Sequence, residues 1–259
     1  MSDEIPTLWQ IDVSHYSEKV RWALAWKGVE HRTRAPIPGA HIPVALWLTR
    51  GAHHTFPVLR LDGRNIGDST AIIAALEERF PEPPLYPEDV AERRRALALE
   101  EYFDEELGPA IRQLIWHELG RDRERFEALM RQTAPPPLDR LAASSAAYAR
   151  AYTALRFRAS DAAAAERNRA AVLAALDRLE SELGDREYLV GDGFGVADLT
   201  AASLFYPLVR PPEGPLDPDE AGATGFEELR EPLRERRGFE WVTEMFRLHR
   251  RPASAGAAA

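Results

Sequence analysis

The spacing of apolar positions changes along this chain, from short strand-like runs near its start to helical periodicity over the rest. Leu8 to Val13 is a short apolar run that predicts a buried strand. Ser17 to Lys27 has apolar residues three and four positions apart, which predicts a helix that ends at Gly28. Thr33 to Gly39 contains two prolines and is expected to be irregular after a short second strand, whereas Val44 to Leu48 predicts a second helix.

A β-hairpin and a third helix are predicted next. Val58 to Leu61 and Arg64 to Ile66 flank the dipeptide Asp62-Gly63. Asp-Gly between two apolar runs favours a type I′ turn, because both central residues need a positive φ. Asp68-Ser69 then precedes a run with helical periodicity, which predicts a capped helix that ends before Pro81.

The rest of the chain is predicted to be helical. Pro81 to Val90 contains four prolines and indicates a linker. Helices are expected over Ala91 to Leu119 with a kink at Gly108-Pro109, over the stretch ending at Leu183, over Asp198 to Leu208, and over Phe239 to His249 with Trp241, Met245 and Leu248 on one face. The predicted organisation is an α/β domain over residues 1–82, a linker over 83–90, an all-helical domain over 91–252 and a disordered tail over 253–259.

Composition excludes several classes of function. The net charge is −9, and the basic clusters at 93–95 and 247–251 are short, so we expect no binding to nucleic acid. The chain contains no cysteine, which excludes disulfides and a protein thiolate as nucleophile. The acidic start and the lack of an apolar run of about 20 residues predict no signal peptide and no membrane span. These features predict a cytoplasmic protein.

Four motifs in this order resemble the glutathione transferase superfamily. They are Ser14-His15-Tyr16-Ser17, Thr55-Phe56-Pro57, Asp68-Ser69 and Phe194 to Leu199. The chain is most similar to the serine-type, bacterial-like cytosolic members. The resemblance implies a thioredoxin-like α/β N-terminal domain and an all-α C-terminal helical domain. It also implies that glutathione is the co-substrate, that no metal takes part, and that the protein forms a homodimer.

The resemblance implies a role in catalysis for a serine after the first strand. Ser14 matches the position whose hydroxyl donates a hydrogen bond to the sulfur of bound glutathione. The positive end of a helix dipole and its free N–H groups favour an anion such as a thiolate at this place. Ser17, one turn further on, is an alternative, and either serine can instead serve only as a helix cap.

The resemblance also implies a glutathione site after the second helix. Thr55, Phe56 and Pro57 correspond to a segment with a cis X-Pro bond, in which the residue before proline pairs its backbone with the cysteinyl part of glutathione. Asp68 corresponds to the acid that binds the γ-glutamyl ammonium, and Ser69 to the hydroxyl that binds the α-carboxylate. The alternatives are a proline that opens an edge strand and an ordinary helix cap.

Other polar residues have structural interpretations. With Gly195 as a helix cap, Asp198 falls at the third helical position and is assigned to folding. Trp116 and His117 either line a pocket for the second substrate or belong to the core and surface. Adjacent His53-His54 does not suggest a metal site, because neighbouring side chains diverge. The acids at 104–106 are expected on a solvated helix face.

The resemblance therefore predicts an enzyme of detoxification that joins the glutathione thiolate to a small, apolar electrophile. One alternative is a binding or scaffold protein with the same fold and no catalysis, since a fold does not determine a function. Another is a glutathione-dependent isomerase or dehalogenase that uses the same site. The resemblance does not identify the electrophile.

Overall fold

A computed structural model describes residues 4–36, 40–133, 150–216 and 224–250. The predicted tail over 253–259 lies outside these residues, and the predicted domain boundaries stay predictions. The first part of the chain is an α/β unit of seven elements: β1 (Thr7–Trp9), α1 (His15–Trp26), β2 (Arg32–Arg34), α2 (His41–Leu48), β3 (Val58–Leu61), β4 (Arg64–Gly67) and α3 (Ser69–Arg79).

The four strands form one mixed sheet in the order β2-β1-β3-β4. Strand β1 runs parallel to β2 and antiparallel to β3, with Leu8 opposite Leu59, and both leucines are fully buried. The predicted hairpin between β3 and β4 is confirmed. Its turn has positive φ at Asp62 (47°) and Gly63 (76°), as a type I′ turn requires.

Helix α1 begins two residues earlier than the apolar periodicity predicts. Strand β1 already ends at Trp9, and a turn leads to Ser14, which is the N-cap of α1. Ser17 therefore lies inside the helix. The predicted stop at Gly28 is confirmed: Gly28 has φ +62°, and the Val29 N–H donates to the Leu24 carbonyl oxygen over 2.9 Å.

The second part of the chain is helical. Its elements are α4 (Val90–Tyr102), a π-helical turn (Phe103–Leu107), α5 (Gly108–Arg121), α6 (Arg123–Thr133), the described part of α7 (150–156), α8 (Ala162–Leu183), α9 (Val196–Val209), α10 (Thr224–Arg230), a 3-10 turn (Glu231–Leu233) and α11 (Arg237–His249). The π-helical turn lies just before Gly108-Pro109, where a kink was predicted, and Pro109 has no N–H to continue the regular hydrogen-bond ladder.

Helix α9 is the centre of the core, because all of its residues are buried and it packs against both α1 and α11. Although α9 is apolar, none of the described helices is long and apolar enough to span a bilayer. On α11, Trp241, Met245 and Leu248 share the predicted helix face, and Trp241 and Met245 are buried while Leu248 is 48% exposed. The buried face centres on Val242 and Phe246, and Leu248 lies at its edge, roughly 120° around the helix from Val242.

Asp198 ties the start of α9 to the preceding loop. Its Oδ2 accepts from the Gly195 N–H over 2.9 Å, and its Oδ1 accepts from the Leu189 N–H over 2.8 Å. Gly195 has no side chain, so only the carboxylate half of a capping box is present. Burial raises the pKa of Asp198 to about 7, and the two backbone hydrogen bonds oppose that shift. The structural role predicted for Asp198 agrees with this geometry.

Asp198→Asn is expected to lower the free energy of unfolding by about 2 kcal/mol, because the amide NH2 would face a backbone N–H and leave donors unpaired. Urea denaturation above pH 7 measures this loss. Asp192→Asn, in the same loop but exposed, is the matched control and should change stability by less than about 0.5 kcal/mol. Equal effects of the two substitutions would contradict the assignment.

Candidate active site

Two adjoining cavities lie between the α/β unit and helices α4 and α5. The acidic cavity is lined by Asp68, Ser69, Glu100, Glu101, Asp104 and Glu105 among others. The apolar cavity, of about 370 Å³, is lined by Ile11, Ser14, Ile115, Trp116, Phe157 and Phe226 among others. Tyr16, Thr55, Phe56 and Arg112 line both, so the cavities meet at these residues. Volumes of this size suit small-molecule ligands.

The two serines predicted as alternatives occupy different environments. Ser14 is half-buried at the N-terminus of α1 and lines the apolar cavity, and its Oγ accepts from the Ser17 N–H over 3.3 Å. Ser17 is 0% exposed, and its Oγ accepts from the Ile11 N–H over 3.3 Å. Ser17 lines neither cavity. Of these two serines, only Ser14 therefore lines a cavity.

The segment before β3 forms the wall where the two cavities meet. The Phe56-Pro57 bond is cis, which confirms that prediction. Strand β3 is an interior strand, so the alternative of a proline opening an edge strand is wrong. The Phe56 side chain packs with Ala45 and Val58, and Thr55 is exposed beside it.

Asp68 and Ser69 lie at the N-terminus of α3 in the acidic cavity. Asp68 alone is the N-cap: its Oδ1 accepts from the N–H groups of Thr70 (3.0 Å) and Ala71 (3.1 Å), and its φ is +72°. Ser69 is the first residue of the helix and is buried. The N–H and the hydroxyl of Ser69 at this point can bind a carboxylate, while Asp68 can bind a cation.

A buried lysine joins the two parts of the chain below the acidic cavity. Lys19 Nζ donates to Glu100 Oε1 (2.9 Å), Asp104 Oδ2 (2.5 Å) and Thr70 Oγ1 (3.1 Å). Glu100 Oε2 and Asp104 Oδ1 have no hydrogen-bond partner among the described residues, and burial raises the pKa of Glu100. The prediction that Asp104 lies on a solvated face is wrong, because this carboxylate pairs with Lys19.

Two family models match this chain. Residues 8–84 match the family model described as "Glutathione S-transferase, N-terminal domain". Residues 162–233 match the one described as "Glutathione S-transferase, C-terminal domain". The chain belongs to the glutathione S-transferase family. The resemblance to the superfamily and the predicted fold class, a thioredoxin-like domain followed by a helical domain, are confirmed. The serine-type subclass stays a prediction.

Similar solved structures match nearly the whole chain. A glutathione S-transferase from Methylobacterium radiotolerans, in complex with glutathione sulfonate, is 25% identical, with 92% of this chain and 94% of that chain covered and a TM-score of 0.55. The beta-etherase LigF from Sphingobium is 21% identical, with 93% and 99% covered and a TM-score of 0.60. At that identity the second likeness shows the fold alone.

One curated relative matches part of the chain. It is "Probable maleylacetoacetate isomerase 1" of Drosophila melanogaster, 28% identical over 130 residues, which are 46% of this chain and 50% of the relative. The chain thus spans about half the length of the curated relative that it matches.

The two residues predicted for a second-substrate pocket divide in the same way as the two serines. Trp116 lines the apolar cavity and stacks parallel to Phe157, with ring centroids 5.8 Å apart. His117 does not line it: this side chain is buried, and its Nδ1 donates to the Ala159 carbonyl oxygen over 2.7 Å. Of the two alternatives predicted for His117, the structure supports the core residue and not the pocket residue. Arg112, one turn before Trp116 on α5, was missed, although residues four apart share a helix face.

His15 and Tyr16 hold the start of α1 against α5 and the π-helical turn before it. His15 Nε2 donates to the Gly108 carbonyl oxygen (3.1 Å), and Tyr16 OH donates to the Asp104 carbonyl oxygen (2.7 Å). A Cβ on Gly108 would lie 2.1 Å from Tyr16 OH, so glycine allows the close approach. Burial lowers the pKa of His15 to about 3, and the nearby Arg112 acts in the same direction.

His15 should make the protein less stable in acid. The unfolded chain takes up a proton at His15 near pH 6.5, whereas the folded chain excludes it down to about pH 3, so the free energy of unfolding falls as pH decreases through this window. His15→Gln should therefore reduce the slope of the unfolding free energy against pH. The reduction corresponds to at most one proton, or about 1.4 kcal/mol per pH unit.

Urea titrations at several pH values measure this slope. His54→Gln, at an exposed position on the same cavity, is the control and should keep the wild-type slope. A wild-type slope in His15→Gln would show that the buried ring does not control acid stability.

Proposed function

We propose that this chain is a serine-type glutathione transferase in which Ser14 stabilises the glutathione thiolate for attack on a small electrophile. The observation that carries the proposal is the position of the Ser14 hydroxyl. It lies at the N-terminus of α1 and faces the apolar cavity, next to the acidic cavity with Asp68 and Ser69. Membership of the family supports glutathione as the ligand.

Glutathione is proposed to bind across the junction of the two cavities. Its γ-glutamyl carboxylate would accept from the hydroxyl and the N–H of Ser69, and its ammonium would face Asp68. The charges around Lys19 favour an ammonium here. Glu100 and Asp104 supply two carboxylates and Lys19 only one cation, so an excess of negative charge is left. The cysteinyl backbone would pair with Phe56.

The proposed reaction depends on activation of the thiol. A hydrogen bond from Ser14 Oγ and the positive end of the α1 dipole favour the thiolate, and so lower the thiol pKa. The thiolate then attacks an electrophile that the apolar cavity holds beside it, with rate gained from positioning. Tyr16 is a poorer candidate for this role, because its hydroxyl already donates to the Asp104 carbonyl oxygen.

A glutathione-dependent isomerase is the second candidate function, and the partial match to a probable maleylacetoacetate isomerase favours it. An isomerase would use the same thiolate but release glutathione unchanged. Product analysis by mass spectrometry distinguishes the two, since only a transferase yields a product that carries glutathione. The cytoplasmic location and the homodimer also remain proposals, and sedimentation in solution tests the second.

Ser14→Ala is expected to lower kcat/KM for 1-chloro-2,4-dinitrobenzene by about tenfold to a hundredfold and to raise the pKa of bound glutathione, because the thiolate loses a charge-assisted hydrogen bond. Initial rates and the ultraviolet absorbance of the thiolate across a pH series measure both effects. If Ser14→Ala retains turnover while Ser17→Ala loses it, the assignment of Ser14 is wrong.

Asp68→Asn is expected to weaken glutathione binding by about tenfold or more, because the ammonium loses a charged partner. Asparagine still caps a helix and tolerates positive φ, so the fold of α3 should be retained. Calorimetric titration with glutathione measures the change. Asp89→Asn is the matched control: Asp89 caps α4 with the same pair of N–H bonds but lines neither cavity.

No saturable binding of glutathione to the wild-type protein would overturn the proposed function and favour a binding or scaffold role. Equal affinities for the Asp68→Asn and Asp89→Asn proteins would place the γ-glutamyl group elsewhere.

A further inference from the structure

Arg112 lies at the junction of the two cavities without an anionic partner. It is half-buried and lines both cavities. Its guanidinium carbon is 5.7 Å from the centroid of the Tyr16 ring and 5.4 Å from that of Phe157. Within the described part of the chain, it forms no hydrogen bond or salt bridge. A partly buried cation that contacts two aromatic rings and has no ion-pair partner can bind an anion from outside the protein.

The two cavities differ in charge. Carboxylates dominate the acidic cavity, where Arg112 is the one basic side chain among the described lining residues. The apolar cavity has the opposite balance: its charged lining residues are Arg112, Arg125, Arg156, Arg210 and a single acid, Glu118, which pairs with Arg169 over 3.4 Å. An anion is therefore favoured in the apolar cavity and disfavoured in the acidic one.

Arg112 differs from the other arginines of the apolar cavity. Arg125 pairs with Asp122 (3.0 Å) and Arg210 with Glu227 (3.3 Å), while Arg156 contacts His54 Nε2 (2.9 Å). A guanidinium held beside two aromatic rings keeps its in-plane N–H groups available, and these match the two oxygens of a carboxylate.

We propose that Arg112 selects electrophiles that carry a carboxylate, by pairing with that carboxylate while the apolar body of the substrate packs on Trp116 and Phe157. The inference rests on the proposed function, because it takes the apolar cavity as the place where the glutathione thiolate meets its second substrate. It adds the chemical class of that substrate, an anionic electrophile with an aromatic or apolar body.

A pair of probe substrates tests the selection. 4-Chloro-3-nitrobenzoate carries a carboxylate, and 1-chloro-2,4-dinitrobenzene is its neutral counterpart. In each reaction the thiolate sulfur bonds to the carbon that bears chlorine, the C–Cl bond breaks, and chloride leaves with the electron pair. The thiol proton goes to solvent. The measured quantity is the ratio of kcat/KM values for the two probes, divided by the ratio of their uncatalysed rates.

The wild-type ratio should favour the benzoate, and Arg112→Gln should reduce the ratio by about tenfold to a hundredfold, as expected for loss of a charged hydrogen-bonding partner. Arg121→Gln is the matched control, because Arg121 is an exposed arginine on the same helix that lines neither cavity, and it should keep the wild-type ratio. Arg112→Lys should retain part of the preference, since it keeps the charge and loses the planar fork.

Binding of the two reaction products provides a second measurement that does not depend on turnover. The glutathione conjugate with the carboxylate should bind the wild type more tightly than the dinitrophenyl conjugate, and Arg112→Gln should remove that difference. Calorimetric titration of folded variants gives both affinities.

Three outcomes would overturn the inference: no preference for the anionic probe or conjugate in the wild type, an unchanged preference in Arg112→Gln, or an equal loss with both probes accompanied by a raised pKa of bound glutathione. The last result would show that Arg112 acts on the thiolate. Failure of the proposed function gives a different result, since glutathione itself would then not bind.

Discussion

Lys19 is fully buried between the two domains, and a buried ammonium is costly unless carboxylates surround it. Its partners are Glu100 and Asp104 from the helical domain and the Thr70 hydroxyl from α3. Removing either acid would leave a charge without its partner, so α1, α3 and α4 are held together by this requirement. Most other features of the site follow from that docking.

The docking determines the shape of the site. Because α1 is held against the helical domain, His15 reaches the carbonyl oxygen of Gly108 and Tyr16 reaches that of Asp104. The π-helical turn before Gly108 lies at this contact. The cavities therefore belong to the interface between the domains, and neither domain alone would form them.

The charges that line the two cavities suit two different ligand groups. The acidic cavity has an excess of carboxylates, which suits the ammonium of a γ-glutamyl group. The apolar cavity has aromatic walls and an excess of arginines, which suits an apolar body with an anionic group. Tyr16 and Arg112 belong to both cavities, so the thiolate and its electrophile would meet beside them. The fold alone does not determine a function, so the proposal rests on these side chains.

The sequence alone determined the features that depend on local hydrogen bonds and backbone conformation. Asp62-Gly63 specified a hairpin, Gly28 ended α1, and Asp68 capped α3, because these turns and caps are complete within a few residues. The cap of α9 by Asp198 is of the same kind. The resemblance to the family, carried by such motifs, gave the fold.

Only the tertiary structure decided which side chains face the site. Ser14 and Ser17 are three residues apart, and the sequence left both as candidates. Because α1 starts at His15 and not at Ser17, the Ser14 hydroxyl lines a cavity and the Ser17 hydroxyl is buried inside the helix. The sequence left the environment of His117 open and placed Asp104 wrongly, because their partners lie 42 and 85 residues away in the chain. Local sequence determines turns and caps, but burial and charge pairing depend on contacts between distant segments, which form only when the two domains pack together.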